Sequence, residues 1–199
     1  AIDGLIQGNA PVLEPGLDDL LQAGIAGGRL RFTSVVADAA VNAEVLWVTF
    51  DTPVDDEDRA DVEFVLNQIK SVLSILADGA LVLVSSQMPV GSIRKLESFV
   101  RDTLPGKRLA FACSPENLRL GKALDVFLKP DRIVVGVRSA ADRAALERLL
   151  LPITDCIEWM SVESAEMTKH AINAFLATSV TFANEIASIC EMVGADAKE

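Results

Sequence analysis

The chain has 199 residues, room for one large domain or one and a half, and half of them are apolar, enough to fill a core. A net charge of −11 argues against general attraction to nucleic acid or an anionic membrane, while leaving room for an anionic small ligand in a local basic pocket. No uninterrupted apolar run approaches the roughly 18 residues of a membrane span, and no secretory leader is legible.

The chain opens on Ala1 inside an established pattern, so its start is expected to lie downstream of the true N-terminus. Glu14 to Gly16 is a turn, and Leu17 to about Ile25 reads as a helix ended by Gly27 and Gly28. A short strand is expected over Leu30 to Thr33 and a stronger one over Glu44 to Phe50, stopped by Asp51, Thr52 and Pro53. Helical spacing of Val62, Val65, Leu66, Ile69, Val72, Leu73 and Leu76 predicts a helix from Asp58 to Ala77. Ala80 to Ser85 is a buried-looking strand. The turn Ser86 to Gly91 then leads into a helix ending near Leu104. Leu109 to Cys113 is the next strand. Beyond it come a short helix over Ala123 to Phe127, a strand over Ile133 to Val137 and a helix over Ala140 to Leu151.

Strands alternating with helices predict βαβ units and a doubly wound, mostly parallel sheet. Composition then shifts: Val162 to about Val193 lacks Pro and internal Gly, with Ser161 as N-cap and Glu163 in the first turn. One helix of that extent spans roughly 45–50 Å at 1.5 Å per residue, too long for another sheet-covering helix. It reads as a domain connector or a subunit-interface helix.

Chemistry in an open α/β sheet gathers at the carboxyl ends of its strands. Asp51, Thr52 and Pro53 form one such end, able to contact a cofactor phosphate or ribose, or simply to terminate a strand. Ser86 and Gln87 open a second, with Gly91 allowing close backbone approach; two ordinary strand-to-helix loops are the plain alternative. Glu116 follows a third strand. It can accept a proton or orient water, or merely cap a helix. Asn117 and Arg119 follow it; Arg119 can clamp a phosphate or form a surface ion pair. Lys169 and Asn173 stand four apart where Ala165, Ile172, Leu176 and Val180 are expected to mark a buried stripe, putting an ammonium and an amide on one helix face; a lysine there can also snorkel to solvent. His170, the single histidine, reads as an ordinary helix residue. The odd, scattered Cys113, Cys156 and Cys190 predict buried thiols in a reducing cytoplasm, with no disulfide framework and no metal site.

Together, Glu14 to Leu17, Asp51 to Pro53, Ser86 to Gly91, Ser114 to Gly121, Ala165 to Lys169, and Asn173 to Leu176 continuing to Asn184 and Glu185 resemble the UDP-glucose/GDP-mannose dehydrogenase family, in family order along the whole chain. The resemblance implies NAD as cofactor and a four-electron oxidation of a nucleotide-sugar C6 alcohol to the carboxylate. It implies that Asp51, Thr52, Pro53, Ser86 and Gln87 contact the dinucleotide, and that Glu116, Asn117, Leu118, Arg119 and Leu120 line the sugar site with Lys169 and Asn173. Glu116 would do acid–base work, while Lys169 and Asn173 would stabilise charge on the C6 oxygen. The family's Gly-rich turn after the first strand is absent, as is its ribose-binding acid, a role not transferred to Asp3. Its nucleophilic cysteine belongs to a motif beyond Glu199. Gln87 replaces a frequent Thr, and Leu120 a frequent second Glu.

The expected organisation is a partial Rossmann-like NAD-binding domain over residues 1–160, its N-terminal strands missing, followed over 161–199 by the first long helix of an all-α dimerisation domain. The expected partners are a nucleotide-diphosphate sugar, UDP-glucose foremost, and a second copy of the chain through the long helix. The fragment alone is expected to be inactive. A non-catalytic dimerisation module and a two-electron 2-hydroxy acid dehydrogenase are the alternatives.

Overall fold

The computed structural model describes residues 2–199. Three short helices, α1 (Ile2–Ile6), α2 (Leu17–Ala26) and α3 (Val36–Ala40), precede the first strand, β1 (Val45–Val48). Strands and helices then alternate: α4 (Val62–Leu73), β2 (Leu81–Val84), α5 (Ser92–Thr103), β3 (Ala110–Cys113), α6 (Ala123–Leu128), β4 (Ile133–Val137), α7 (Ala140–Leu150), β5 (Ile157–Ser161) and α8 (Val162–Val193). The sheet order is β1-β2-β3-β4-β5. β1, β2 and β3 are parallel, as are β4 and β5, but the two groups meet antiparallel through the single pair Cys113 and Gly136. The expected mostly parallel sheet is therefore present with one reversal.

Successive strand residues face opposite sides, which divides the core in two. Val82, Val84 and Phe111 pack with Val65, Leu66, Ile69 and Leu73 of α4 and Ile93, Leu96 and Val100 of α5. Leu81, Leu83, Ala112 and Val135 pack with Leu146 and Leu150 of α7 on the other side. β2 is buried at all four positions, as a central strand covered on both faces must be. Each fully buried Leu in these layers contributes about 1.5–3 kcal/mol through apolar burial.

Three expectations change. Leu30 to Thr33 forms no strand, because the Leu30 N–H is taken by the Gly24 carbonyl in the closure of α2 (3.1 Å) and no neighbouring chain pairs with the segment. The helix expected from Asp58 starts at Val62. Asp61 is its N-cap, accepting from the Phe64 N–H at 2.9 Å, while Asp55 folds residues 55–59 into a separate turn. Residues 157–161, left without an element by the periodicity, form edge strand β5.

The long helix begins and ends as its sequence dictates. Ser161 Oγ accepts from the Ser164 N–H (3.2 Å), and Gly194 closes α8 in the left-handed region at φ 76°. Its first turn lies hard against β4. A Cβ on Gly136 would sit 2.6 Å from Ala165 Cβ and 2.7 Å from Val162 Cα. Of the 32 residues of α8 only Val162, Ala165 and Glu166 are buried, so the helix is anchored at one end and free along most of its length.

Candidate active site

The carboxyl ends of β1 and β2 are spliced together by hydroxyls. Ser86 Oγ donates to the Phe50 carbonyl, and Thr52 Oγ1 donates to the Gln87 carbonyl at 2.6 Å. The turns after β1 and β2 are thus one unit, which brings Asp51, Thr52, Pro53, Ser86 and Gln87 together. Asp51, Pro53 and Gln87 are exposed, Thr52 is half-buried and Ser86 is buried. Deeper in, Trp47 Nε1 donates to Ser85 Oγ (2.9 Å). Ser114 Oγ donates to the Val134 carbonyl (2.9 Å), a side-chain brace beside the sparse junction between β3 and β4.

The loop after β3 and the start of α8 meet over a cavity of about 650 Å³, whose lining includes Trp47, Ser114, Glu116, Asn117, Phe127 and Lys169. Lys169 Nζ donates to Asn117 Oδ1 at 3.0 Å across 52 residues of sequence. One oxygen of Glu116 accepts the Leu118 N–H, which curls the loop and leaves the other oxygen without a hydrogen-bond partner among the described residues. Trp47 and Phe127, ring centroids 6.1 Å apart, form an apolar wall.

Glu116, Asn117, Leu118 and Lys169 therefore share one cavity, while Asn173, Arg119 and Leu120 lie outside its lining and are exposed. Asn173 stands about 6 Å beyond Lys169 along α8 and is turned about 100° from its neighbour Ile172. Ile172 lines the cavity in its place.

Two carboxylates that sequence reasoning left out also reach this region. Glu166 on α8 accepts from the N–H groups of Gly91 (2.7 Å) and Ile93 (2.9 Å), at the start of α5. Glu14 accepts from the N–H groups of Gly121 (2.6 Å) and Leu124 (3.2 Å). The signal for Glu166 was its place on the buried stripe with Val162 and Ala165, where a carboxylate must find donors. Glu14 carries no local signal, since its partners lie more than a hundred residues away. His170 faces the loop after β2, its Nε2 2.9 Å from the Met88 carbonyl, which requires a proton on that nitrogen.

Charge at the anchor of α8 is organised as a chain. Arg138 donates to Glu97 (2.8 Å) and to Glu163 (2.7 Å), and Arg94 donates to Glu163 (2.7 Å). Hydrogen bonds from Arg138 and then Arg94 hold the Glu163 carboxyl down at about 2, and Arg138 is held further above its already high ordinary value. Burial, helped by the charge of Glu166, pushes the Cys113 thiol up to about 12. Cys113 is thus an inert core thiol, and none of the three free cysteines lines the large cavity. Among the described residues no three His, Cys, Asp or Glu side chains gather as a metal site, and no helix is long and apolar enough to cross a membrane.

Residues 1–154 match the UDP-glucose/GDP-mannose dehydrogenase family, NAD binding domain, and residues 163–199 match the central domain of the same family. The chain belongs to the UDP-glucose/GDP-mannose dehydrogenase family. It is 34% identical over 204 residues to the UDP-glucose 6-dehydrogenase of Rhizobium meliloti, covering all of this chain and 47% of that protein. The fold is shared with a GDP-mannose dehydrogenase of Pseudomonas aeruginosa, solved as a ternary complex (TM-score 0.86, 29% identity, 99% of this chain and 47% of that one). It is shared equally with a UDP-glucose dehydrogenase of Pyrobaculum islandicum (TM-score 0.85, 29% identity, 98% and 46%). The chain spans about half the length of the curated relatives it matches.

Proposed function

We propose that this chain supplies the dinucleotide-binding sheet and one wall of the sugar site of an NAD-dependent nucleotide-sugar 6-dehydrogenase, with UDP-glucose the foremost substrate. The observation that carries this reading is the contact of Lys169 with Asn117 in the lining of the 650 Å³ cavity that Glu116 also lines. The boundary between the two domains is put at residues 160–161, a reading supported by the N-cap at Ser161 and the change from edge strand to 32-residue helix.

The residues present fit a dinucleotide at the joined turns after β1 and β2. Thr52 has spent its proton on Gln87 but keeps its lone pairs, and the exposed Asp51 and Gln87 side chains offer an acceptor and an amide. The first N–H groups of α5 take no part, since Glu166 occupies those of Gly91 and Ile93. When bound, NAD supplies the acceptor for hydride leaving the alcohol carbon. The chain's own residues handle the oxygen. The Lys169 ammonium has three protons and spends one on Asn117, leaving two for an oxygen as it gains negative charge. The free oxygen of Glu116 takes the hydroxyl proton as the alcohol becomes an aldehyde, and can orient water for the second, hydrolytic half. Asn173, one turn further along α8 and outside the cavity lining, is the further donor proposed for the same oxygen.

The test is stoichiometric. The full-length protein, given limiting UDP-glucose, UDP-N-acetylhexosamine or GDP-mannose in turn with excess NAD, is expected to yield two NADH per sugar with its true substrate. One NADH per sugar, or none with any of the three, would refute the reading.

The whole protein is read as a cytoplasmic homodimer. Its free thiols fit a reducing compartment. Phe175, Phe182, Met192 and Val193 are 66–78% exposed on the free part of α8, an apolar surface suited to a second copy of the helix. Sedimentation of the Phe182→Asp variant as a monomer is expected. A wild-type protein that is itself monomeric at micromolar concentration rejects the dimer.

A further inference from the structure

Six polar or charged residues are buried in the described molecule: Glu14, Ser85, Ser86, Ser92, Ser114 and Glu166. Only the two glutamates are ionisable, and burying a carboxylate is costly unless every oxygen is satisfied. Neither is satisfied by a cation: among the described residues, no ion pair includes Glu14 or Glu166. Each instead spends its two oxygens on two backbone N–H groups, and the two arrangements are copies of one another.

In both, the first N–H belongs to a glycine at the far end of a loop that follows a central strand. Gly91 closes the loop after β2 at φ 92°, and Gly121 closes the loop after β3 at φ 82°. A Cβ on either glycine would meet nothing within 4 Å, so both are present for their left-handed backbone and not for space. In both, the second N–H lies two or three residues on, in the first turn of the next helix: Ile93 in α5 and Leu124 in α6. In both, the carboxylate arrives from a distant part of the chain, 73–75 residues away for Glu166 and 107–110 for Glu14. The loops so held carry Ser86 and Gln87 in one case and Glu116 and Asn117 in the other. Each loop is fixed at its near end by its strand and at its far end by one buried carboxylate.

Resting on the function proposed above, we propose that Glu14 and Glu166 are positioning residues, Glu14 for the loop facing the sugar and Glu166 for the loop facing the dinucleotide. Glu166 does this from α8, one turn before Lys169, and His170 on the same helix holds the Met88 carbonyl of the same loop. The dinucleotide loop and the Lys169 ammonium are thereby set by one helix, while the far end of the sugar loop is held separately by the N-terminal segment, Asn117 being that loop's contact with α8.

The independence is testable in the full-length protein with Glu14→Gln and Glu166→Gln, which keep size and lose the second acceptor. Amide exchange is read by mass spectrometry, and binding is measured separately for NAD and for UDP-glucose. Glu166→Gln is expected to speed exchange over residues 86–93 and weaken NAD about tenfold, the scale of one charged hydrogen bond, with residues 115–124 and UDP-glucose unaffected. Glu14→Gln is expected to do the reverse. A merely structural role would loosen both loops together, or lower the melting temperature without loop-selective exchange; either result overturns the proposal. Glu14→Asp and Glu166→Asp, which keep charge and lose reach, carry the same expectations if the Gln variants fail to fold. Failure of all four to fold also overturns it. If wild-type protein binds neither ligand, the proposed function falls, and the exchange pattern alone then decides the two clamps.

Discussion

Lys169 is only half-buried, and its Nζ leaves the helix surface to reach Asn117. A lysine that merely covered apolar surface with its stem would release its ammonium to water. This one is held by Asn117 in the lining of a cavity that Glu116 also lines, and the proposed function gives its two spare protons to an oxygen that becomes negative during reaction. Because that interaction grows with the developing charge, Lys169→Ala is expected to reduce kcat more than about tenfold while leaving nucleotide-sugar affinity largely intact. Steady-state kinetics on the full-length protein checks it. Unchanged kcat would leave the contact with Asn117 a surface hydrogen bond with no chemical part. Asn173, paired with Lys169 by sequence spacing, does not share its cavity. The i,i+4 rule gives a common helix face but does not fix which residues of that face line a cavity.

At the scale of elements, the first turn of α8 packs hard against β4. Gly136 is required there by its neighbours, not by its backbone angles, since Ala165 Cβ and the Val162 backbone occupy the space a side chain would need. Gly136→Ala is expected to cost about 1–3 kcal/mol, the range for overpacking, read as a lower urea midpoint with an unchanged slope. A midpoint within error of wild type would mean that α8 is not seated on β4 in solution. The elements most legible in the sequence were those whose ends are chemically marked. β4 spans Ile133–Val137 as its apolar run indicates, and α8 runs from the Ser161 cap to the Gly194 stop as capping and the lack of Pro predict. Leu30 to Thr33 had strand composition but no partner, and pairing is not a local property. β5 was missed because its alternating Ile157, Glu158 and Trp159 pattern is short and runs directly into the α8 cap. The cavity was partly legible: Glu116 and Lys169 were marked by strand end and helix face. Glu14 was read as the start of a turn and part of a family motif, with no role of its own, because its partners come together through tertiary folding.

At the scale of the whole molecule, the ion chain Arg94–Glu163–Arg138–Glu97 decides how the sheet, α5 and α8 respond to acid. Arg94 and Glu97 lie on α5, Arg138 follows β4, and Glu163 stands in the first turn of α8, so one partly exposed carboxylate joins three elements. The Glu163 carboxyl falls from an ordinary 4.5 to about 2 in the folded chain. Between those values the unfolded chain binds the extra proton, so stability rises with pH through the window. The stabilisation is complete above about 4.5 and is lost as pH falls toward about 2. Arg138 adds nothing to this slope, because it is charged in both states throughout the window. Urea midpoints of wild type and Glu163→Gln, compared from pH 6 to pH 2.5 at low salt, are expected to differ most at pH 6 and to converge on acidification. The difference should also shrink at high salt, since the pairs remain in partial contact with solvent. Parallel curves, with a gap independent of pH, would mean that Glu163 acts through packing at the start of α8 and that its charge does not hold the helix to the sheet.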